Sequence, residues 1–449
     1  MRFGDHGTRL NPKSSKKEQA YRWYQLIKSL TQGWRSKSTP PNADILVLEY
    51  FANSAKLSVA FGEYFRSQGQ SVGFIKARPM AVKSAFHGQV YELFRLVRLP
   101  LFRSLSTFRR LRRQAKAMVN GALRSSFGDR LPPIVLRHLS DRMCAQLDHA
   151  IMDAVPMVLA YNQLFAQYRP KALITTSAAA TFIRALTGNP VRDGMELVYL
   201  QHGLSKGDVQ PDLFQHDTFF VWGPYFKQVL LSTRQMQETQ IYLVSPAFAP
   251  AEVVKTQAPV SRQVAYFAAR SGGMYVSVAR HLLLLEKIRT LAQQCTEYTF
   301  VVKLHPSDRH GAHIHALGSG LENLRFEEQL SSQELIAQSE WCMVTTSTVG
   351  LEVCQVGKPL IYFDTMLPHE QLVPYRTYGA AVCVEPPYPV EEVRKALQEE
   401  ALAERLVAGQ REMSLTFVLP NQDQEATFRS MMEVILRKTT SDSRLPHRP

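Results

Sequence analysis

Apolar residues in this chain arrive in short runs that end in Gly, Pro, Ser or Asn, and between the runs apolar positions recur at helical spacing. The run 45–51 (ILVLEYF) reads as a strand and Asn53-Ser54 as a helix start. The periodic segment to Phe65 ends at Gly69, before a second strand at 72–75. This is a β-α-β opening. From 84 to 164 helical patterns prevail, broken at Pro100 and at Pro132-Pro133. Strands follow at 172–176, 197–200, 218–222 and 241–244, with an Ala-rich helix after the first and a helix at 224–231. A second series has strands at 264–268, 298–303, 341–344, 359–363 and 381–384 and helices at 275–293, 332–338 and 349–356. Crossovers of this length imply parallel strands. There is no short-period repeat; what recurs is a Rossmann-like half.

The predicted fold class is therefore α/β, with two Rossmann-like domains and a helical basic insertion in the first. Residues 1–43 are a polar lead-in, with helical spacing at 20–30. The first domain spans 44–250 and carries the helical basic segment 84–130. Residues 251–262, in a stretch broken by Pro250 and Pro259, form the linker; 263–420 form the second domain and 421–449 a C-terminal helix and polar tail. A length of 449 residues at 45% hydrophobic content suits two such cores.

The formal charge of +14 asks for an anionic partner: phospholipid head groups, nucleic acid or an acidic polysaccharide. Nine cations lie between Arg95 and Arg124, and no acid lies between Leu93 and Gly128. Arg103, Arg109, Arg110, Arg112, Arg113 and Lys116 alternate with Leu105, Phe108 and Leu111, a basic amphipathic pattern suited to an anionic membrane surface. A solvated surface helix would read the same way. Zinc-finger spacing, an RNP-like aromatic strand and a recognition helix are missing, so no nucleic-acid partner is expected. The five scattered cysteines read as reduced, which fits the cytoplasm. With a polar start (MRFGDH) and no run of about 20 apolar residues, any membrane contact is expected to be peripheral.

Candidate chemistry gathers at strand ends, where open α/β sheets place ligands. Lys303 and His305 close one strand, with Pro306 ending its ladder. Thr346, Ser347 and Thr348 precede a helix, whose unpaired N–H groups and partial positive charge favour a phosphate; the same hydroxyls also suit plain N-capping. Glu352, one turn in, can accept from ribose hydroxyls or face solvent. Arg270 and Ser271 lead into Gly272-Gly273, which would let the backbone approach a pyrophosphate. In the first half, His202 ends a strand in Gln201-His202-Gly203, with Asp208 nearby; an imidazole there can serve as general base, and Asp208 can orient it or act itself. No DxD-like carboxylate pair stands at a strand end, so no metal and no other cofactor are expected.

With these residues in place, the chain resembles bacterial surface-polysaccharide glycosyltransferases of the GT-B type. That group includes capsule polysialyltransferases, capsule and lipopolysaccharide Kdo transferases and the CDP-glycerol polyol-phosphate transferases. The matching stretches are VYLQHGLSKGD at 198–208, FVWGPYF at 220–226, VVKLHP at 301–306 and TTSTVGLEVCQVGKPLIYFD at 345–364. The resemblance implies two Rossmann-like domains facing a cleft, nucleotide phosphates held by His305, Thr346, Ser347 and Thr348, and His202 on the acceptor side with Asp208 as the nearest acid. It implies an enzyme, a nucleotide-sugar-dependent glycosyltransferase, peripheral on the inner face of the cytoplasmic membrane. The expected reaction moves an acidic sugar such as Kdo from a CMP-activated donor (CMP-Kdo) to a hydroxyl of a capsule or lipopolysaccharide glycan or glycolipid. Alternatives are polyol-phosphate transfer from CDP-glycerol, a sugar-nucleotide epimerase of the same fold, and a non-catalytic scaffold recruited to the membrane.

Overall fold

The computed structural model describes residues 43–49, 52–76, 90–92, 101–128, 130–176, 194–201, 203, 216–233, 236–245, 260–271, 276–305, 308, 320–365, 373, 375–417 and 424–440. The first β-α-β unit is β1 (Ile45–Glu49), α1 (Ala52–Ser67) and β2 (Val72–Lys76). Every side chain of β1 is buried, as expected of a central strand covered on both faces. Then come β3 (Val90–Glu92), α2 (Leu101–Phe127), α3 (Pro133–Tyr168), β4 (Ala172–Thr175), β5 (Glu196–Leu200), β6 (Thr218–Val221), α4 (Pro224–Thr233) and β7 (Ile241–Leu243). Together the strands make a seven-stranded sheet in the order β3-β2-β1-β4-β5-β6-β7.

The second series is β8 (Gln263–Phe267), α5 (Val278–Gln294), β9 (Thr299–Lys303), β10 (Leu324–Phe326), α6 (Ser332–Gln338), β11 (Trp341–Val344), α7 (Val349–Val356), β12 (Leu360–Phe363), β13 (Val382–Val384), α8 (Val390–Gln398), α9 (Glu400–Phe417) and α10 (Gln424–Thr440). Its six-stranded sheet runs β10-β9-β8-β11-β12-β13. Every strand pair whose register is described is parallel. Both sheets start from the middle, wind outward to one edge, then return to the other side, so each has a switch point, between β1 and β4 and between β8 and β11.

Two compact units contain these elements: one holds β1–β5, α1–α3 and α10 from Phe428 onward, the other Phe220–Thr427. The core of the second unit packs α5 (Leu284, Ile288, Leu291) and α8 (Val393, Leu397) against Tyr266, Phe300, Trp341 and Phe363 of the sheet.

The structure adds elements that the periodicity did not announce. β3 and β10 are three residues each, at the sheet edges, too short to show alternation. Of the helical segment expected over 84–130, 101–127 is the helix α2, but 90–92 pairs at the sheet edge as the strand β3. The apolar face of α2 is occupied, with Phe108, Val119 and Leu123 only 2%, 5% and 7% exposed. α2 runs antiparallel to α3, joined by Ser140 donating to Asn120 (2.5 Å) and by an ion pair between Arg112 and Asp148 (2.7 Å). Leu105, Phe108 and Leu111 are therefore part of a helix pair, and the basic side of α2 faces solvent. The expected lead-in, the Ala-rich helix and most of the expected linker lie outside the described residues.

Candidate functional site

Register fixes the frame of the site in the second unit. Lys303, Phe267, Val344, Tyr362 and Cys383 stand level across β9, β8, β11, β12 and β13, with about 4.8 Å between neighbouring strands. Each strand then releases its chain on the same side, so the loops after β8, β9, β11 and β12 converge at the switch point. Ser271 lies four residues past this row, His305 two, Thr346 two and Thr365 three.

These loops are tied to one another. Asp308 accepts from the Ser271 backbone N–H (2.7 Å) and hydroxyl (2.8 Å), while its own N–H donates to the His305 carbonyl (2.8 Å). One carboxylate thus joins the β8 loop to the β9 loop. Arg280, in the first turn of α5, donates to the Thr365 carbonyl, and Thr365 Oγ1 lies 3.1 Å from Thr346 Oγ1, which is also 3.2 Å from the Tyr362 hydroxyl. Thr346 and Thr365 are buried, so this hydroxyl cluster fastens the β11 loop to the β12 loop. Arg270 is exposed beside Ser271, and His305 is half-buried. Lys303 turns its ammonium to the Leu330 carbonyl, in a turn whose Gln329 and Leu330 N–H groups are held by Glu327.

The three hydroxyls before α7 have separate fates. Thr346 joins the buried cluster, Ser347 Oγ accepts from the Val349 N–H (3.3 Å), and Thr348, at the N-cap, makes no capping bond with its side chain. Plain capping therefore uses only Ser347, and the first turn of α7 keeps its dipole. Glu352, in that turn, has its pKa pushed up to about 7 by burial. A helix start, a half-buried imidazole and an exposed guanidinium are kinds of group that can hold and neutralise a phosphate.

Sequence reasoning missed Asp308, Arg280 and Thr365. Asp308 was within sight, two residues past His305-Pro306, but nothing local says that its carboxylate bonds a residue 37 positions earlier. It also missed Glu49. At the end of β1, beside the switch point of the first sheet, this carboxylate is fully buried; Ser58 of α1 donates to it and Thr176 Oγ1 lies 3.0 Å from both its oxygens. A strand expected to run on to Phe51 had made Glu49 an interior strand residue.

His202 and Asp208 lie outside the described residues. Gly203, next to His202, belongs to the second compact unit, and a Cβ placed on it would lie 3.8 Å from Thr348 Cγ2. Of the cations singled out on α2, Arg109, Arg110, Arg112, Arg113 and Lys116 are exposed; the side chain of Arg103 is not among those described.

No protein-family model and no curated protein sequence matches the chain. Solved structures do. A UDP-GlcNAc 2-epimerase from Neisseria meningitidis, bound to UDP-GlcNAc, superposes with a TM-score of 0.53 at 11% identity, covering 88% of this chain and 99% of the other. CalG4, the calicheamicin glycosyltransferase, gives 0.53 at 13% identity, and MurG of Acinetobacter baumannii 0.51 at 9%, each covering 88% of this chain and 99% of its own. At these identities the likeness is one of fold, and the fold is of the GT-B type with two Rossmann-type domains, the domains implied by the patterning of the sequence and the GT-B type by its motif resemblance.

Proposed function

We propose that the chain is a nucleotide-sugar-dependent glycosyltransferase whose second unit binds the donor. The observation that carries this reading is the convergence, at one switch point, of the Arg270–Ser271 loop, His305 and the start of α7. When a glycosidic bond to a nucleotide breaks, negative charge grows on the leaving phosphate. Fixed N–H dipoles and cations stabilise that charge more than they stabilise the ground state. Loops already tied by Asp308 and by the Thr346–Thr365 cluster do not need to reorganise as the charge develops. Glu352 receives the ribose hydroxyls in this reading. His202 takes the proton of the attacking hydroxyl, with Asp208 orienting it or acting in its place.

The finer assignment follows the motif resemblance: an acidic sugar such as Kdo, delivered from CMP to a capsule or lipopolysaccharide acceptor by a protein resting on the anionic inner-membrane surface through the basic side of α2. The neighbours bound to, or named for, sugar nucleotides and glycosyl transfer support only the general class.

The test is a donor panel of CMP-Kdo, CMP-sialic acid, CDP-glycerol and UDP-sugars, with release of CMP, CDP or UDP as readout. CMP release from CMP-Kdo is expected, and His305→Ala should lower it at least about a hundredfold without changing the melting temperature. CDP release from CDP-glycerol would select polyol-phosphate transfer, and interconversion of UDP-sugars without an acceptor would select the epimerase. No turnover of any donor, with membrane recruitment unaffected by His305→Ala, would leave the scaffold.

A further inference from the structure

The helix pair α2–α3 carries a second feature, separate from its basic side. α3 is 36 residues long, and before Val155 its only buried side chain among those described is Ser140. This half of α3 has α2 as its partner, and the pair closes in a tight turn: the Arg130 and Leu131 N–H groups both donate to the Phe127 carbonyl, and Val135 N–H to the Pro132 carbonyl. At this closed end apolar side chains point to solvent. Phe127 is 43% exposed, Ile134 76% and Val135 39%, with Pro132 and Pro133 exposed between them. Arg124, Arg130 and Arg137 surround them, all exposed. Along α2, Arg109, Arg113, Lys116, Arg124 and Phe127 fall on one face at helical spacing, so a row of cations leads to the apolar tip.

We propose that this closed end inserts into the head-group and acyl boundary of an anionic bilayer. It rests on the membrane reading above and adds an apolar anchor to it. Phe127, Ile134 and Val135 enter the boundary, a layer about 5–10 Å deep. Arg124, Arg130 and Arg137 bind lipid phosphates while their stems lie along the apolar layer, and Arg109, Arg113 and Lys116 supply longer-range attraction. A protein partner fits less well, because Arg124, Arg130 and Arg137 flank the turn in sequence and are all exposed, whereas the centre of a protein interface is poor in charge. The opposing charges there are Asp129, which the sequence places within the turn, and Asp141, exposed near the tip. No helix of the described residues is long and apolar enough to cross a membrane.

The experiment is co-sedimentation of the full chain with vesicles of phosphatidylcholine alone or with 30% phosphatidylglycerol (about a third anionic, a usual choice for a strong surface potential), at low and at high salt. Binding to the anionic vesicles is expected, falling with salt but persisting in part, because apolar insertion is not screened. The double variant Ile134→Ser/Val135→Ser should weaken it about tenfold at both salts. Leu415→Ser, at another exposed apolar site, should not, and nucleotide-induced melting shifts should stay as in the unaltered protein in both. Pelleting that the double variant leaves unchanged overturns the anchor and spares the charge-only reading. No pelleting at all overturns both. A vesicle-free dimer that the double variant dissolves would assign the tip to a second copy of the chain instead.

Discussion

Glu352 sits where two effects oppose each other: the start of α7 favours a carboxylate charge, and burial disfavours it more, so its pKa rises from 4.5 to about 7. A raised pKa means that the folded protein holds the proton more tightly than the unfolded chain. The resulting penalty is absent below about pH 4.5, grows as pH rises, and is complete above about pH 7. Glu352→Gln should therefore add about 2–3 kcal/mol more stability at pH 8 than at pH 5 in urea unfolding, while weakening nucleotide binding if the carboxylate receives ribose. A second residue-scale constraint lies two positions earlier. A Cβ on Gly350 would clash with the Tyr375 hydroxyl and lie 3.3 Å from Val344 Cγ2. That hydroxyl is buried without a hydrogen-bond partner among the described residues. Gly350→Ala should cost about 1–3 kcal/mol by overpacking. Tyr375→Phe should be neutral by itself and should recover part of that loss in the double variant, which a thermodynamic cycle would measure.

At the scale of elements, α6, β11 and α7 fall where the sequence pattern placed them, because each has its own local signal: a Ser331–Glu334 capping box, a four-residue apolar run, and an apolar helix face closed by Gly357. β3 and β10 had no such signal, and α8 and α9 were not separated from the rest of 385–420. What joins these elements at the site is long-range and was not legible. Asp308 holds Ser271 by two hydrogen bonds across two strands. Asp308→Ala should weaken nucleotide binding about tenfold, measured by calorimetry, through loss of loop order. The melting temperature should move little, since the bonds lie at a partly exposed loop. A large loss of stability with unchanged affinity would make the clamp structural only.

For the whole molecule, the last helix returns to the first unit. Phe428 of α10 packs on Phe61 of α1 with ring centroids 5.3 Å apart, and Lys438 reaches Thr218 (2.8 Å) and Glu196 (3.4 Å). The sequence signalled a C-terminal helix, while its destination depended on Phe61 being left open in the first unit. Phe428→Ala should cost about 3 kcal/mol, because it empties a site against side chains that are fully buried; calorimetric unfolding would show the drop. A loss below about 0.5 kcal/mol would mean that α10 is not needed to close that core.

The alternation of apolar runs with helical spacing was enough by itself to specify two Rossmann-type domains, since local periodicity and parallel crossovers leave few other topologies. It also placed His305 and Thr346–Thr348 at strand ends, because a strand's end is written in adjacent residues. Tertiary structure alone decided what these groups bond within the protein. Lys303 donates to a carbonyl, Thr346 joins a hydroxyl cluster, and the apolar face of α2 packs on α3. Those outcomes depend on partners 20 or more positions away or on separate elements, and hydrogen bonds and burial at that range leave no periodic trace along the chain.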